Sequence, residues 1–180
     1  MRGLNVLNVM SSVDPTLGGI SEGVLRLHDA AGAHGSMEIL TLDPPDAPFL
    51  ADLPLPVHAC GPRSRPAASP LTRLLRHYRY APAMKAWLRR RARGYDAIVV
   101  HGLWNYAALG SSQTLPALGV PYFVFVHGML DPWFARRYPA KHLVKHLSWL
   151  LAEGRLLHGA EAVLFTAEDE RVLARGQFLG

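Results

Sequence analysis

Cysteine is almost missing from this chain. Cys60 is the single one in 180 residues, so no internal disulfide can form and the fold must rest on its core. Long apolar runs are missing as well. Even Val120 to Val126 is interrupted by Pro121 and bounded by His127, far short of the roughly 20 residues that span a bilayer. No charged start followed by an apolar core and a cleavage site marks a signal peptide, so the expected location is cytoplasmic. Neither the Gly-x-G-x-x-Gly dinucleotide fingerprint nor the Walker Gly-x-x-x-x-Gly-Lys-Ser/Thr loop occurs, which disfavours the cofactor classes that depend on them. Acidic residues are absent from one whole stretch, Asp52 to Asp96, which carries ten of the nineteen Lys and Arg residues. The net charge of +5 is therefore concentrated rather than spread.

What is present fits one globular domain over residues 1–180, with 49% hydrophobic and 18% charged residues. Strand-like and helix-like segments alternate, the pattern of a mostly parallel sheet covered by helices. Leu4 to Met10, Met37 to Leu42, Val57 to Cys60, Ala97 to Val100, Tyr122 to Val126 and Ala162 to Phe165 read as strands. Ile20, Val24, Leu27 and Ala31 have helical spacing, and Leu71 to Arg93 reads as a helix broken near Pro82. A helix is expected over Asn105 to Leu118. Another long one should start near Pro139 and end at Gly159, its apolar face holding Leu143, Leu147, Leu150, Leu151 and Leu157. Thr166 with Asp169 three residues on has the capping-box form that opens a final helix.

Two apolar strands each end on His-Gly, at His101-Gly102-Leu103-Trp104 and at His127-Gly128-Met129-Leu130-Asp131-Pro132-Trp133. Open α/β sheets bind ligands outside their strands' carboxyl ends, so both histidines should share one rim. An imidazole there can bond a substrate hydroxyl near neutral pH. It can equally be satisfied by backbone groups at a strand end. Gly18 and Gly19 after the first strand suit close approach of an anion such as a diphosphate, although a tight strand-to-helix turn explains them equally. His142 and His146 lack carboxylates or cysteine at ligand spacing, so no metal is expected. Leu71, Leu74, Leu75, Tyr78 and Trp87 among the arginines suit either an amphipathic surface on an anionic membrane or a solvated basic face over core. No nucleic-acid-binding motif accompanies the arginines.

Leu17-Gly18-Gly19-Ile20, Val100-His101-Gly102-Leu103-Trp104, Pro121 to Trp133 and Ala162 to Glu170 together resemble the amino-terminal half of family-4 glycosyltransferases with the two-domain GT-B architecture. The resemblance implies a Rossmann-like three-layer α/β/α sandwich. It also implies hexosyltransferase activity, moving a sugar from a nucleotide-diphosphate sugar to a hydroxyl with retention, without a metal. The expected setting is cell-envelope or exopolysaccharide synthesis. The acceptor would be a glycan or a lipid-linked molecule, with contact to the inner membrane face through residues 63–93. Gly18 and Gly19 would then line the cleft floor, and His127 would be the catalytic histidine touching the transferred sugar. His101, Trp104, Asn105 and Asp131 are the acceptor-pocket candidates. The carboxyl-terminal donor domain of such enzymes is not in these 180 residues, and Glu153 and Glu161 match its Glu-x7-Glu spacing by coincidence. The alternative is a non-catalytic remnant or interaction domain that needs a separate partner chain.

Overall fold

The computed structural model describes residues 3–63, 69–133, 137, 139–176 and 178. Its centre is a six-stranded parallel sheet in the order β3-β2-β1-β4-β5-β6, formed by Leu4–Met10 (β1), Gly35–Thr41 (β2), Val57–Ala59 (β3), Ala97–His101 (β4), Tyr122–Phe125 (β5) and Ala162–Leu164 (β6). The six expected strands are all present, with ends shifted by at most two residues. Their continuous apolar character follows from burial on both faces, which a parallel sheet needs because crossover helices cover each side.

Side-chain alternation divides the core in two. Successive strand residues point to opposite faces. Leu7, Val9, Leu40, Ile98, Val100 and Val124 therefore enter the larger core, while their neighbours Met10 and Ile39 enter the smaller one. The smaller core is closed by Val24 and Ile20 of helix α1 (Gly19–Ala31). The larger one is closed by Met84 and Leu88 of α3 (Ala83–Arg91), by Tyr106 and Ala107 of α4 (Tyr106–Ser112), and by Leu156. α2 (Pro70–His77) is held at its start by a capping box between Ser69 and Thr72 and buries none of its residues. The break between α2 and α3 falls at residues 78–82, around Pro82 as the sequence suggests. The helix expected over 105–118 is shorter, because a separate turn of 3-10 helix at Leu115–Ala117 follows α4.

The largest departure lies in the segment after Pro139. Helix α5 (Pro139–Ser148) passes through a π-helical stretch, Trp149–Glu153, into α6 (Gly154–His158). The helix ends at Gly159 as expected and Leu157 packs against the larger core, but three of the leucines expected to be core face outward, with Leu150 70% exposed and Leu147 and Leu151 similarly open. Ala152, Glu153 and Leu156 turn inward instead. The inward face meets the loop after β4, where the Glu153 carboxylate accepts from the Trp104 backbone N–H at 3.1 Å. The Leu143 side chain lies outside the described residues, as does all of Arg65.

Helix α7 (Glu168–Ala174) differs in its cap. Asp169 makes no capping bond; Glu170 accepts from the Thr166 N–H at 2.8 Å and the Thr166 hydroxyl at 2.5 Å. The same carboxylate accepts from the Gly128 N–H at 2.5 Å, fastening α7 to the loop after β5. No described helix is long and apolar enough to cross a membrane.

Candidate functional site

The sheet reverses its winding between β1 and β4, since the chain runs outward from β1 to β3 and then returns to the other side of β1. In open α/β sheets this switch point leaves a crevice beyond the carboxyl ends of the strands. Asn8 on β1, His101 at the end of β4 and His127 just beyond β5 meet beside it. His101 Nε2 lies 3.0 Å from Asn8 Oδ1, and His101 Nδ1 lies 2.9 Å from His127 Nε2. Both His101 and Asn8 are buried, His101 with 3% of its surface exposed. His127 is only half-buried and stacks on Phe125 at 4.0 Å between ring centroids.

Proton positions follow from this chain. With Asn8 Oδ1 as the acceptor, the matching tautomer of His101 has its proton on Nε2 and a lone pair on Nδ1. His127 must then donate from Nε2, and its own Nδ1 becomes an acceptor. The charge states agree: burial, aided by the neighbouring His127, pushes His101 down to about 3, and burial also lowers His127, with Glu170 opposing. Both rings are neutral at pH 7. A neutral imidazole with one free nitrogen is suited to accept a hydrogen bond from a sugar hydroxyl.

Backbone strain concentrates at the same rim. Among the described non-glycine residues, positive φ occurs at Arg79, Trp104 and His127, at +55°, +63° and +50°. Such conformations persist where the surroundings impose them, and they cluster at ligand sites. Around His127, the Gly128 N–H bond to Glu170 fixes the turn. Around Trp104, Glu153 does so: its buried carboxylate accepts from the Trp104 N–H at 3.1 Å and from the Ser148 hydroxyl at 2.8 Å. Burial raises the Glu153 carboxyl above the usual range, offset by these bonds and by the Lys145 charge. Gly102 adopts φ +78°, a left-handed backbone that a residue with a Cβ enters only with strain, and it faces the flexible end of Met129.

Of the residues singled out from sequence, Gly18 and Gly19 stand open at the start of α1. Gly18 adopts φ +123°, and no side chain caps the helix. Trp104 is half-buried in an aromatic cluster, with ring centroids 5.2 Å from Phe178 and 6.4 Å from Trp149, and Lys145 Nζ lies 4.9 Å from its own. Asn105 and Asp131 use their side chains locally. The Asn105 Oδ1 caps α4 by accepting from the Ala108 N–H at 3.2 Å, and the Asp131 Oδ1 accepts from the Trp133 N–H at 2.7 Å. Glu161 is exposed ahead of β6, apart in character from the buried Glu153. Among the described residues no three His, Cys, Asp or Glu side chains are grouped to hold a metal.

The family profile of the glycosyl transferase 4-like domain matches residues 18–180, which includes both His-Gly rims and the glycine turn. The chain belongs to that family. A search of curated proteins found no match. Among solved structures, the chain is similar to Phytolacca americana UGT2 complexed with UDP-2fluoro-glucose and pterostilbene. The TM-score is 0.57 at 15% identity, over 97% of this chain and 50% of that one. It is also similar to a candidate UDP-N-acetylglucosamine 2-epimerase from Listeria monocytogenes, at TM-score 0.56 and 8% identity, over 96% of this chain and 41% of the other. At these identities the likeness is one of fold, and the chain spans about half the length of each. The mostly parallel sheet expected from the strand pattern, and the Rossmann-like architecture that the family resemblance implies, are thus those of this glycosyl transferase 4-like domain.

Several groups that organise the rim went unnoticed in the sequence. Asn8 had a signal, as a polar residue inside an otherwise apolar strand. Asp43 had none. It is buried after β2 and accepts four hydrogen bonds, from Ser12 Oγ (2.6 Å), Val13 N (2.7 Å), Thr41 Oγ1 (2.7 Å) and Arg79 Nη1 (2.7 Å). It thereby holds the loop that leads to Gly18.

Proposed function

We propose that this glycosyl transferase 4-like domain is the acceptor-binding half of a retaining glycosyltransferase. It works with a carboxyl-terminal donor-binding domain to move a hexose from a nucleotide-diphosphate sugar to a hydroxyl. The observation that carries the reading is the chain Asn8–His101–His127 at the switch point, which presents a neutral, oriented imidazole where a sugar would enter. His127 accepts a hydroxyl hydrogen bond from the transferred sugar and so fixes the sugar as its bond to the diphosphate breaks. His101 and Asn8 act through His127 as positioning residues. The open glycine turn at Gly18 and Gly19 admits the diphosphate end, and no metal takes part. Trp104, Asn105 and Asp131 shape the acceptor side through the loops that they hold. The products belong to cell-envelope or exopolysaccharide synthesis on the cytoplasmic side.

The test is calorimetry and turnover with nucleotide sugars, for the chain alone and mixed with a candidate carboxyl-terminal half. Transfer is expected only in the mixture. Absence of nucleotide-sugar or glycan recognition by either sample would overturn the reading. A second reading, a non-catalytic interaction domain, is favoured by the exposed Leu147, Leu150 and Leu151 beside a 770 Å³ groove lined by Leu130, Trp149, Leu157 and Phe165. Apolar patches of this kind mark partner surfaces.

Contact with an anionic membrane is part of the proposal, in narrower form than the sequence suggests. Trp87 is turned inward against His58 and Tyr95, at 4.7 and 6.2 Å between ring centroids, and Tyr78 packs on the core. The apolar groups of α2 left to meet a membrane are Leu71, Leu74 and Leu75, the first two 64% and 62% exposed, with Arg73 and Arg76 beside them. Such basic, apolar surfaces bind anionic lipid in proportion to both terms. The protein should sediment with vesicles that contain anionic lipid and stay in solution with neutral ones; equal recovery with both would remove the membrane from the proposal.

A further inference from the structure

The apolar groove beside β6 takes no part in the chemistry of the histidine rim. It has a volume of 770 Å³, within the usual range of ligand clefts, and runs between two helical walls, the segment Trp149–His158 on one side and α7 on the other. Leu130, Val163 and Phe165 complete its lining. Val163 and Phe165 reach it from the sheet face that packs on the larger core, not from the open edge of β6. A segment laid here is placed to pack on helices rather than to pair with a strand. Leu150 on the wall and Leu147 and Leu151 beside it stand open to water, the kind of apolar patch that marks a covered surface.

The charge on the wall has one sign. Arg155, His158, Arg171 and Arg175 line the groove, and no Asp or Glu does. Glu168 pairs with Arg171, whose Nε donates to it at 2.9 Å, which sets three guanidinium charges against one carboxylate. Glu153 is buried on the Trp104 N–H and Glu170 reaches the Gly128 N–H; neither of them lines the groove, nor does Asp169. Arg155 and Arg175 make no ion pair with a described carboxylate. The balance at the groove is positive with Glu168 counted.

Shape and charge together select the occupant. Two copies of this chain facing about a two-fold axis would set Arg155 and Arg175 of one against those of the other, with no acid between them. A flat membrane would meet the protruding Leu147, Leu150 and Leu151 and leave Trp149, Leu157 and Phe165, half-buried within the groove, untouched. An amphipathic helix satisfies both features, because an apolar ridge at i, i+3, i+4 and i+7 enters the groove while acidic flanks reach the arginines.

We infer that this groove docks an acidic amphipathic helix of a separate partner protein, its apolar ridge seated on Trp149, Leu150, Leu157 and Phe165 and its Asp or Glu side chains on Arg155 and Arg175. The inference goes beyond the transferase reading and holds whether or not the chain transfers a sugar.

The experiment is fluorescence anisotropy of a labelled helical peptide titrated with the 180-residue chain. The probe is about 15 residues long, roughly four turns, with leucines at i, i+3, i+4 and i+7 and glutamates on both flanks. Parallel arms replace every glutamate by lysine, or keep the composition and scramble the ridge. Saturable binding of the acidic probe is expected, about tenfold tighter than either of the others and weaker as salt is added. R155Q/R175Q should weaken it about tenfold and flatten its salt dependence, and Leu150→Ser should weaken it several-fold. R89Q/R90Q, equally basic but outside the groove, should leave it unchanged. All these side chains are exposed, so the variants should fold, and their melting temperatures check this. Absent binding, equal affinity for the lysine or scrambled probe, or full affinity in R155Q/R175Q would each overturn the assignment. Self-association of the chain that Leu150→Ser abolishes would give the patch to a second copy, and capture by anionic vesicles that R155Q/R175Q and Leu150→Ser abolish would give it to a membrane; either overturns it too. No sugar or nucleotide enters the measurement, so the groove can fail while His127-dependent transfer stands, and the reverse.

Discussion

His127→Ala, assayed in the chain combined with its donor half, should lower kcat/KM for sugar transfer by about 10²–10³-fold, the usual cost of deleting one oriented polar contact to the transition state. Thermal stability should change little, because the His127 ring is half-buried and its removal leaves only His101 Nδ1 without a partner. The pH profile gives an independent reading. A histidine whose protonation is disfavoured by burial stays neutral below its ordinary 6.5, so the acid limb should lie below pH 6.5. Protonation of His127 removes the acceptor nitrogen, and activity falls as pH drops through that limb. His101→Phe should preserve folding and shift the limb, since the ring that orders His127 would no longer accept its proton; His101→Ala adds a cavity and is the less informative variant. A loss below tenfold on His127→Ala, with the fold intact, would remove His127 from the chemistry.

Much of the fold was legible because a parallel sheet writes itself as apolar runs. Leu4 to Met10 and Tyr122 to Val126 need no long-range information to be read as buried strands, and their ends on His-Gly locate the rim. The segment after Pro139 is legible as a helix ending at Gly159, and Leu157 does pack on the core, but periodicity does not show that Leu147, Leu150 and Leu151 face outward while Glu153 turns in. The partner of Glu153 is the Trp104 N–H, some fifty residues away in sequence. The site shows a similar division. His101 and His127 were visible as rim residues, yet only the fold places His101 beneath His127 and Asn8 beneath His101. Asn105 and Asp131 are acceptor-side candidates only through the family resemblance; what the fold adds is that their side chains close the local turns, the ordinary use of Asn and Asp at such places.

Asp43→Ala should produce the largest loss of stability of any single change, about 3–5 kcal/mol, the cost of removing one partner from a buried ion pair. The carboxylate is the meeting point of four donors from three segments: Ser12 and Val13 after β1, Thr41 at the end of β2, and Arg79 beyond α2. Without it the Val13 N–H is buried and unpaired, and Arg79 keeps a strained backbone at φ +55° with only the Ser11 carbonyl, at 3.2 Å, to hold its guanidinium. A loss of this size in a chain of 180 residues lowers Tm by roughly 10 °C. Asp43→Asn keeps the shape and part of the hydrogen bonding, and should cost about half as much. The decisive comparison is the double variant with Arg79→Ala. If the pair acts as described, removing both partners costs less than the sum of the single losses, because the second change removes the orphaned charge that the first created. Urea unfolding of the four proteins measures this directly. Additive losses would mean that Asp43 acts through the Ser12–Val13 loop alone.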